Sequence, residues 1–506
     1  MTVRGTAVWP HILVVGAGGL AVAWVTTLLW RRLDGLGTGA YDLGFFQQVI
    51  WNVRSTGAWA SSFHNGSFLG LHFSPILIGP AAVQGLLGAD ARFLSLLHAL
   101  GIGAMVPATF LFLRVAFRPS PWAATMATGI AIGLPIWAAM QGVIRSDFHP
   151  ELVGVVLALL AGWAGLTGRS RTMWLFAMVA LTTREDVAYA IAVVGLVTAV
   201  RGRGRMPTHG RALVLVSIAW VIIVFAGLMP WLRDGLPSDT ARYYRWLGDG
   251  TSILTAPFRL PDRIAGALTR QESMFVVAGM CVALVGLPLL RPRWLLLIVP
   301  PLAALLLSGH PPQAAVILQY PLILMIPLLA AGAMGGRRAL AIAGQARRWR
   351  RRTRRRTGSP AGDRPWMRSA SPLVFALVVT PAVVGAWVQG SIPPFVANDT
   401  VFLDRPAAID PLRAIAANVP FDAPLVTDEG LVTPLAARPV IRRLTGSGRP
   451  SAQAYVIIDR LAWSPSAISA QQRDRILAGL QSSDRPRLAD DGRFVLWGPR
   501  PVGVTP

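Results

Sequence analysis

The sequence predicts a mainly α-helical, polytopic membrane protein with a small extracytoplasmic α/β domain at its C-terminal end. Three observations lead there. Hydrophobic residues make up 53% of the 506-residue chain and charged residues only 14%, against about 25% charged in a soluble domain. That is too little charge to cover a soluble surface. Long apolar runs recur through the first 390 residues, separated by short polar gaps. After residue 390 the pattern changes to short β-type runs alternating with helical ones, the signature of an α/β unit.

Taken in order, the apolar runs lie near residues 9–29, 93–113, 121–142, 152–167, 172–183, 187–200, 211–231, 273–290, 294–308, 313–335 and 370–389. A spanning helix needs about 20 residues, so several of these are short or broken. The first run has no small-residue cleavage pattern and reads as a retained helix. Arg4, Arg114, Arg118, Arg169, Arg171, the stretch 201–211, Arg291, Arg293 and the run 337–368 fall in alternate gaps. Basic gaps face the cytosol. The alternation then holds with the N-terminus inside, the C-terminus outside and about eleven membrane segments. Residues 30–92, 143–151, 183–186, 232–272 and 309–312 become external. The division is a membrane domain, 1–390, and an extracytoplasmic domain, 391–506.

Some segments need separate treatment. Residues 71–88 are apolar but carry Pro75 and Pro80 and no basic flank. They read as a helix lying in the outer interface. Residues 172–200 read as a hairpin with Arg184, Glu185 and Asp186 at its tip, because one helix would put basic flanks on opposite sides. Residues 344–368, rich in Arg, Gly, Ser and Pro, read as a disordered cytosolic loop near anionic headgroups. In the outer domain, strands are expected at 424–427, 439–444, 454–458 and 493–497, with helices near 410–418, 430–437 and 465–483. Asp428 and Asp459 sit at strand ends, as turn formers or as ligand-binding groups.

The net charge is +24, and all 48 basic residues are Arg. Almost all of that excess falls on segments assigned to the cytosol. It is an orientation signal, so nucleic acid is not an expected partner. The single cysteine, Cys281, excludes an intrachain disulfide and a Cys-based metal site.

The polar residues of the membrane half gather on the external side. The first external loop holds Asp42 in Tyr41–Gln48, then His64 and His72. The second holds Arg145, Asp147, His149 and Glu151, and the hairpin tip holds Arg184, Glu185 and Asp186. His310 and Tyr320 follow in the last loop. Charges near a membrane are costly unless paired or working, so the clustering points to a site. A carboxylate can take a proton from a hydroxyl. Arg and His can bind phosphate through charge-assisted bonds. Together they suit group transfer from a phosphate leaving group to an alcohol. Two other readings stay open: Asp147, His149, Glu151 and His72 holding a divalent metal, or a buried ion-pair network joining helices. Asp42 alone also reads as an N-cap opening the helix that carries Phe45, Phe46, Val49 and Ile50 on one face.

The segments YDLGFFQQVIWN (41–52), LHFSPIL (71–77), DFHPE (147–151), RED (184–186), HPPQ (310–313), LQYPLILMIPLL (318–329), VTDEGLVTPLAARPVI (426–441) and AYVIIDR (454–460) carry a resemblance. They resemble a large bacterial and archaeal family of predicted polytopic membrane proteins, domain-of-unknown-function family two-zero-seven-nine. That family looks like a distant relative of the GT-C membrane glycosyltransferases. The resemblance implies sugar transfer from a polyprenyl-phosphate carrier at the outer leaflet. It places Asp42 where those enzymes keep an essential Asp, and His72–Leu77 at their following interfacial helix. Many GT-C enzymes have paired acids at the first motif, whereas Asp42 stands alone.

The expected function is therefore a GT-C-like glycosyltransferase in the plasma membrane, with a lipid-linked sugar donor and an envelope glycan, lipid or protein as acceptor. Asp42 is the expected base. Arg184, Arg145 and His72 are expected at the donor phosphate, and Asp147, His149, Glu151, Glu185, Asp186, His310 and Tyr320 around the substrates. A lipid or sugar transporter and a non-catalytic envelope scaffold are the alternatives.

Overall fold

A computed structural model describes residues 8–356 and 406–501 except 89, 121, 239–240, 249–251, 446–449 and 462–467, together with 379–380 and 383. Helix α1 (Trp9–Asp34) opens the membrane half, with Pro10 in its first turn, where no N–H partner is lost, and Arg31 and Arg32 in its last. A region between two spans follows: a π-type turn at Ala40–Gly44, then α2 (Phe45–Thr56), then α3 (Ile78–Leu87). The face of α2 foreseen from the spacing, Phe45, Phe46, Val49 and Ile50, is buried. Helix α3 leaves Ile78, Leu86 and Leu87 exposed, as suits a helix lying at a membrane interface.

Helix α4 (Ala91–Ala116) packs back on α1. Two glycines allow the close approach: a Cβ on Gly103 would lie 2.7 Å from the carbonyl oxygen of Gly18. Small residues at such crossings let backbones meet where water supplies no driving force. The next span is broken at Pro135. Helices α5 (Ala123–Gly133) and α6 (Ala138–Arg145) follow, and the path bends by 46° at that break. Then come α7 (Glu151–Leu166), α8 (Ser170–Leu181), α9 (Val187–Arg201) and α10 (Met206–Ile222), the last running on through a π-type stretch to Arg233. The hairpin expected at 172–200 is α8 and α9. Each arm is shorter than a bilayer is thick.

Beyond two short helices at Ser252–Arg259 and Pro261–Leu268, α11 (Gln271–Ala283), α12 (Val299–Leu306) and α13 (Leu322–Arg356) complete the bundle. Among the described residues, four helices are long and apolar enough to cross a membrane: Trp9–Asp34, Ala91–Ala116, Met206–Arg233 and Leu322–Gln345. The bent pair makes a fifth, and shorter apolar helices lie between them. Every expected apolar run coincides with helix except 370–389, which lies outside the described residues apart from 379–380 and 383. Two boundaries differ. The run from 313 becomes long helix only at Leu322, because Val316 and Leu318 adopt positive φ and Pro321 lacks an N–H. Helix α13 continues to Arg356, so residues 344–356 are helical where a disordered loop was expected; 357–368 lie outside the described residues.

The C-terminal unit contains α14 (Ile409–Ala416), β1 (Leu425–Thr427), α15 (Glu429–Leu435), β2 (Ile441–Arg443), β3 (Tyr455–Asp459), α16 (Ala470–Gln481), β4 (Arg487–Asp490) and β5 (Phe494–Trp497). Sheet order is β2-β1-β3-β5-β4, parallel across the first three and antiparallel at β5 and β4. Strand β4, Arg-Leu-Ala-Asp, is half-solvated and charged, and its pattern did not announce a strand. Alternation divides the sheet into two cores. Leu425, Ile441, Ile457, Phe494 and Leu496 face α14, α15 and the segment of the membrane half between α1 and α4. Val426, Val456, Ile458, Val495 and Trp497 face α16, whose start is fixed by a Ser469–Gln472 capping box. One apolar core thus joins the outer sheet to α2.

Candidate active site

A cavity of about 1250 Å³ opens between the bundle and the C-terminal unit. Of the expected site residues, Asp42, His72, His149, Glu151, Arg184, His310 and Tyr320 line it. Asp147, Glu185 and Asp186 stand behind the wall, and Arg145 is not on it.

Asp42 lies in the π-type turn that precedes α2. The helix itself starts at Phe45, with Gly44 at its N-cap and no side-chain cap, so Asp42 is not a capping residue. Its carboxylate is 40% exposed and lies 3.8 Å from His149 Nε2. His149 is buried, and its Nδ1 is 2.8 Å from the Asp147 carbonyl oxygen. A carbonyl only accepts, so Nδ1 carries the proton and Nε2 is the atom turned toward Asp42. The Asp147 carboxylate anchors this loop by accepting from Arg32 Nη1 at 3.3 Å and from the Gly39 N–H at 3.4 Å. Arg32 also donates to the carbonyls of Arg145 and Gly37. Asp147 is thus a positioning group, tied to the end of α1.

The second cluster centres on Arg184 at the hairpin tip. Arg184 pairs with Glu151 at the start of α7 and with Asp186 at 3.4 Å, and its Nε is 3.9 Å from Glu185. Glu185 in turn accepts from His72 Nδ1 at 3.0 Å and from the Phe73 N–H at 2.9 Å. One carboxylate therefore ties the hairpin tip to the segment leading into α3, as does the Ile76 N–H to Thr182 carbonyl bond at 3.1 Å. The ion-pair network foreseen for this region exists and forms part of the cavity wall. The metal set proposed from sequence is not assembled: Asp147 is committed to Arg32, Glu151 to Arg184 and His72 to Glu185. Among the described residues, no group of three or more His, Cys, Asp or Glu is placed to hold a metal ion.

Several wall residues carried no signal in the sequence. Arg242, Tyr243 and Arg245 come from a 3₁₀-type stretch, Ala241–Leu247, in the 232–272 loop, and Arg442 and Arg443 from β2. Tyr243 stacks on His310 at 4.8 Å, and His310 meets Tyr320 edge-on at 6.1 Å. Arg443 lies over the Tyr41 ring at 4.5 Å and donates to Glu429 Oε2 at 2.7 Å. The other oxygen of Glu429 accepts from the Ala40 N–H at 3.2 Å. The outer domain thereby grips the turn that carries Asp42. Ser62 Oγ does the same for β2, donating to the Ile441 carbonyl at 2.5 Å and accepting its N–H at 3.1 Å. These partners lie hundreds of residues apart, beyond the reach of any local pattern.

Asp428 and Asp459 lie outside the cavity. Asp428 accepts the Asp459 N–H at 2.8 Å, while Asp459 takes both Arg493 Nε and Nη2 at 3.1 and 3.0 Å. They clamp the ends of β1, β3 and β5.

The spans and the cavity define a multi-pass membrane protein with an open candidate active site. The family described as "Predicted membrane protein (DUF2079)" matches residues 32–489, and the chain belongs to it. No curated protein sequence matches significantly. Among solved structures, ArnT from Cupriavidus metallidurans bound to undecaprenyl phosphate is similar, at 14% identity over 97% of this chain and 98% of that one, with a TM-score of 0.49. The apo form of that ArnT gives 14% identity over 94% and 97%, with a TM-score of 0.48.

Proposed function

We propose that the protein is a glycosyltransferase that moves a sugar from a polyprenyl-phosphate-type donor to an acceptor at the outer face of the plasma membrane. The observation that carries this reading is the convergence of Asp42, His149, His72 and several guanidinium groups on one cavity. Its volume, about 1250 Å³, exceeds the roughly 300–1,000 Å³ typical of small-ligand sites. A sugar headgroup and an acceptor fit together. The orientation follows the arginine pattern, with the N-terminus cytosolic and the outer domain extracytoplasmic.

Asp42 is the general base. It takes the acceptor hydroxyl proton as the oxygen forms a bond to the anomeric carbon. The bond from that carbon to the phosphate oxygen breaks, and its electron pair stays on the lipid phosphate. His149, held by Asp147, keeps its Nε2 toward Asp42 and orients the carboxylate. His72, with Nδ1 held by Glu185, turns Nε2 to the donor phosphate and with Arg184 offsets its charge. His72 lies six residues before α3, whose exposed apolar residues Ile78, Leu86 and Leu87 offer a surface for the lipid chain. A deletion strain tests the reading. Mass spectrometry should show one lipid-linked sugar accumulating and one envelope glycoconjugate missing. Unchanged pools of both would end it.

A further inference from the structure

The cavity's charge is uneven. On its inner wall Arg184 is matched by three carboxylates. Elsewhere the wall carries four more guanidinium groups, those of Arg242 and Arg245 from the 232–272 loop and of Arg442 and Arg443 from β2, while Asp42 and Glu151 are the only acids among the lining residues. Arg443 is taken by Glu429, and Arg242 lies over the Tyr243 ring at 5.2 Å. Arg245 and Arg442 are different. Both are exposed on the cavity wall, and neither side chain makes an ion pair or hydrogen bond among the described residues.

Their placement is built in. Ala241–Leu247 is 3₁₀-type, in which residues three apart eclipse, so Arg242 and Arg245 leave the same face. Arg442 sits between two tethered neighbours on β2: Ile441, bonded to Ser62, and Arg443, bonded to Glu429. Like charges gathered in a cleft raise the local concentration of an anion. Guanidinium groups suit phosphate or carboxylate through paired, charge-assisted bonds.

We propose that Arg245 and Arg442 form an anion subsite that binds a phosphate or carboxylate carried by the acceptor. The assignment to the acceptor rests on the transferase reading above. Arg442 belongs to a sheet with no apolar span of its own, at the outer-domain end of the cavity. On that reading the donor phosphate is taken by His72 and Arg184, which reach the cavity from other segments of its wall. The subsite makes the outer domain a specificity element: an acceptor without the anion leaves two cations on the cavity wall unpaired.

The test uses purified full-length protein in detergent and two probes, inorganic pyrophosphate and a polyprenyl phosphate, read as ligand-dependent shifts of the melting temperature. Pyrophosphate should stabilise the wild type in a concentration-dependent way. Its half-saturating concentration should rise at least tenfold in Arg245→Gln and in Arg442→Gln, and less in Arg442→Lys. The polyprenyl phosphate response should be unchanged in all three. Both side chains are exposed, so the ligand-free melting temperatures should match that of the wild type. The proposal is overturned if the wild type does not respond to pyrophosphate, or if the Gln variants respond as it does. It is equally overturned if they lose the polyprenyl phosphate response, which would give the pair to the donor. Asp42→Asn should keep the pyrophosphate response, so this result and the transferase reading can fail separately.

Discussion

Arg184 is the residue on which the inner wall depends. It holds the buried Glu151 and Glu185 and the partly exposed Asp186. Removing one member of a buried charge cluster costs about 3–5 kcal/mol, because the remaining charges are left unpaired. Arg184→Gln should therefore lower the melting temperature markedly, and adding Glu151→Gln should restore part of the loss. A double-mutant cycle measures that coupling; strictly additive effects would count against the cluster. The sequence showed these groups because ionisable residues beside apolar spans are conspicuous. The side chain of Arg145 is not among those lining the cavity, and its carbonyl serves Arg32. Arg32, which anchors Asp147, was not among the expected site residues.

At the scale of elements, α15 is wedged against the loop that carries Asp42. Leu36 holds a left-handed φ of 58°, and its carbonyl oxygen would lie 2.1 Å from a Cβ on Gly430. Backbone cannot yield that much, so Gly430→Ala should displace α15. The expected cost is about 1–3 kcal/mol, with a fall in transfer activity that exceeds any loss of folded protein. A variant with normal stability and activity would contradict the wedge. Within the same domain, burial pushes the Asp428 carboxyl up to about 6, against an ordinary 3.8. The folded state thus favours the protonated form. That contribution is fully present below about pH 4 and is lost as pH rises through 6. Asp428→Asn should flatten the decline of the melting temperature between pH 4 and pH 7, by on the order of 2 kcal/mol. An unchanged slope would show that Asp428 is not its source. Strands β1, β2, β3 and β5 were legible as apolar runs between turn residues. Strand β4 was not, because an edge strand needs no apolar face.

At the scale of the whole molecule, arginine placement gave the order of spans, and helices occupy the expected runs. What it could not give was how the outer domain closes the cavity, since that rests on contacts such as Gln48 to the Arg438 carbonyl at 3.1 Å. Orientation is open to a direct check in a Cys281→Ser background. In right-side-out membrane vesicles, Ser451→Cys should react with an impermeant maleimide, and Ala343→Cys only after permeabilisation. The reverse would invert the topology. The central claim is transfer with Asp42 as base, and its most direct test is Asp42→Asn returned to a deletion strain at wild-type abundance. Lipid-linked sugars and envelope glycoconjugates would be measured together by mass spectrometry. With Asp42 as base, the donor accumulates and the product is absent, as in the deletion; wild-type levels of both would rule that role out.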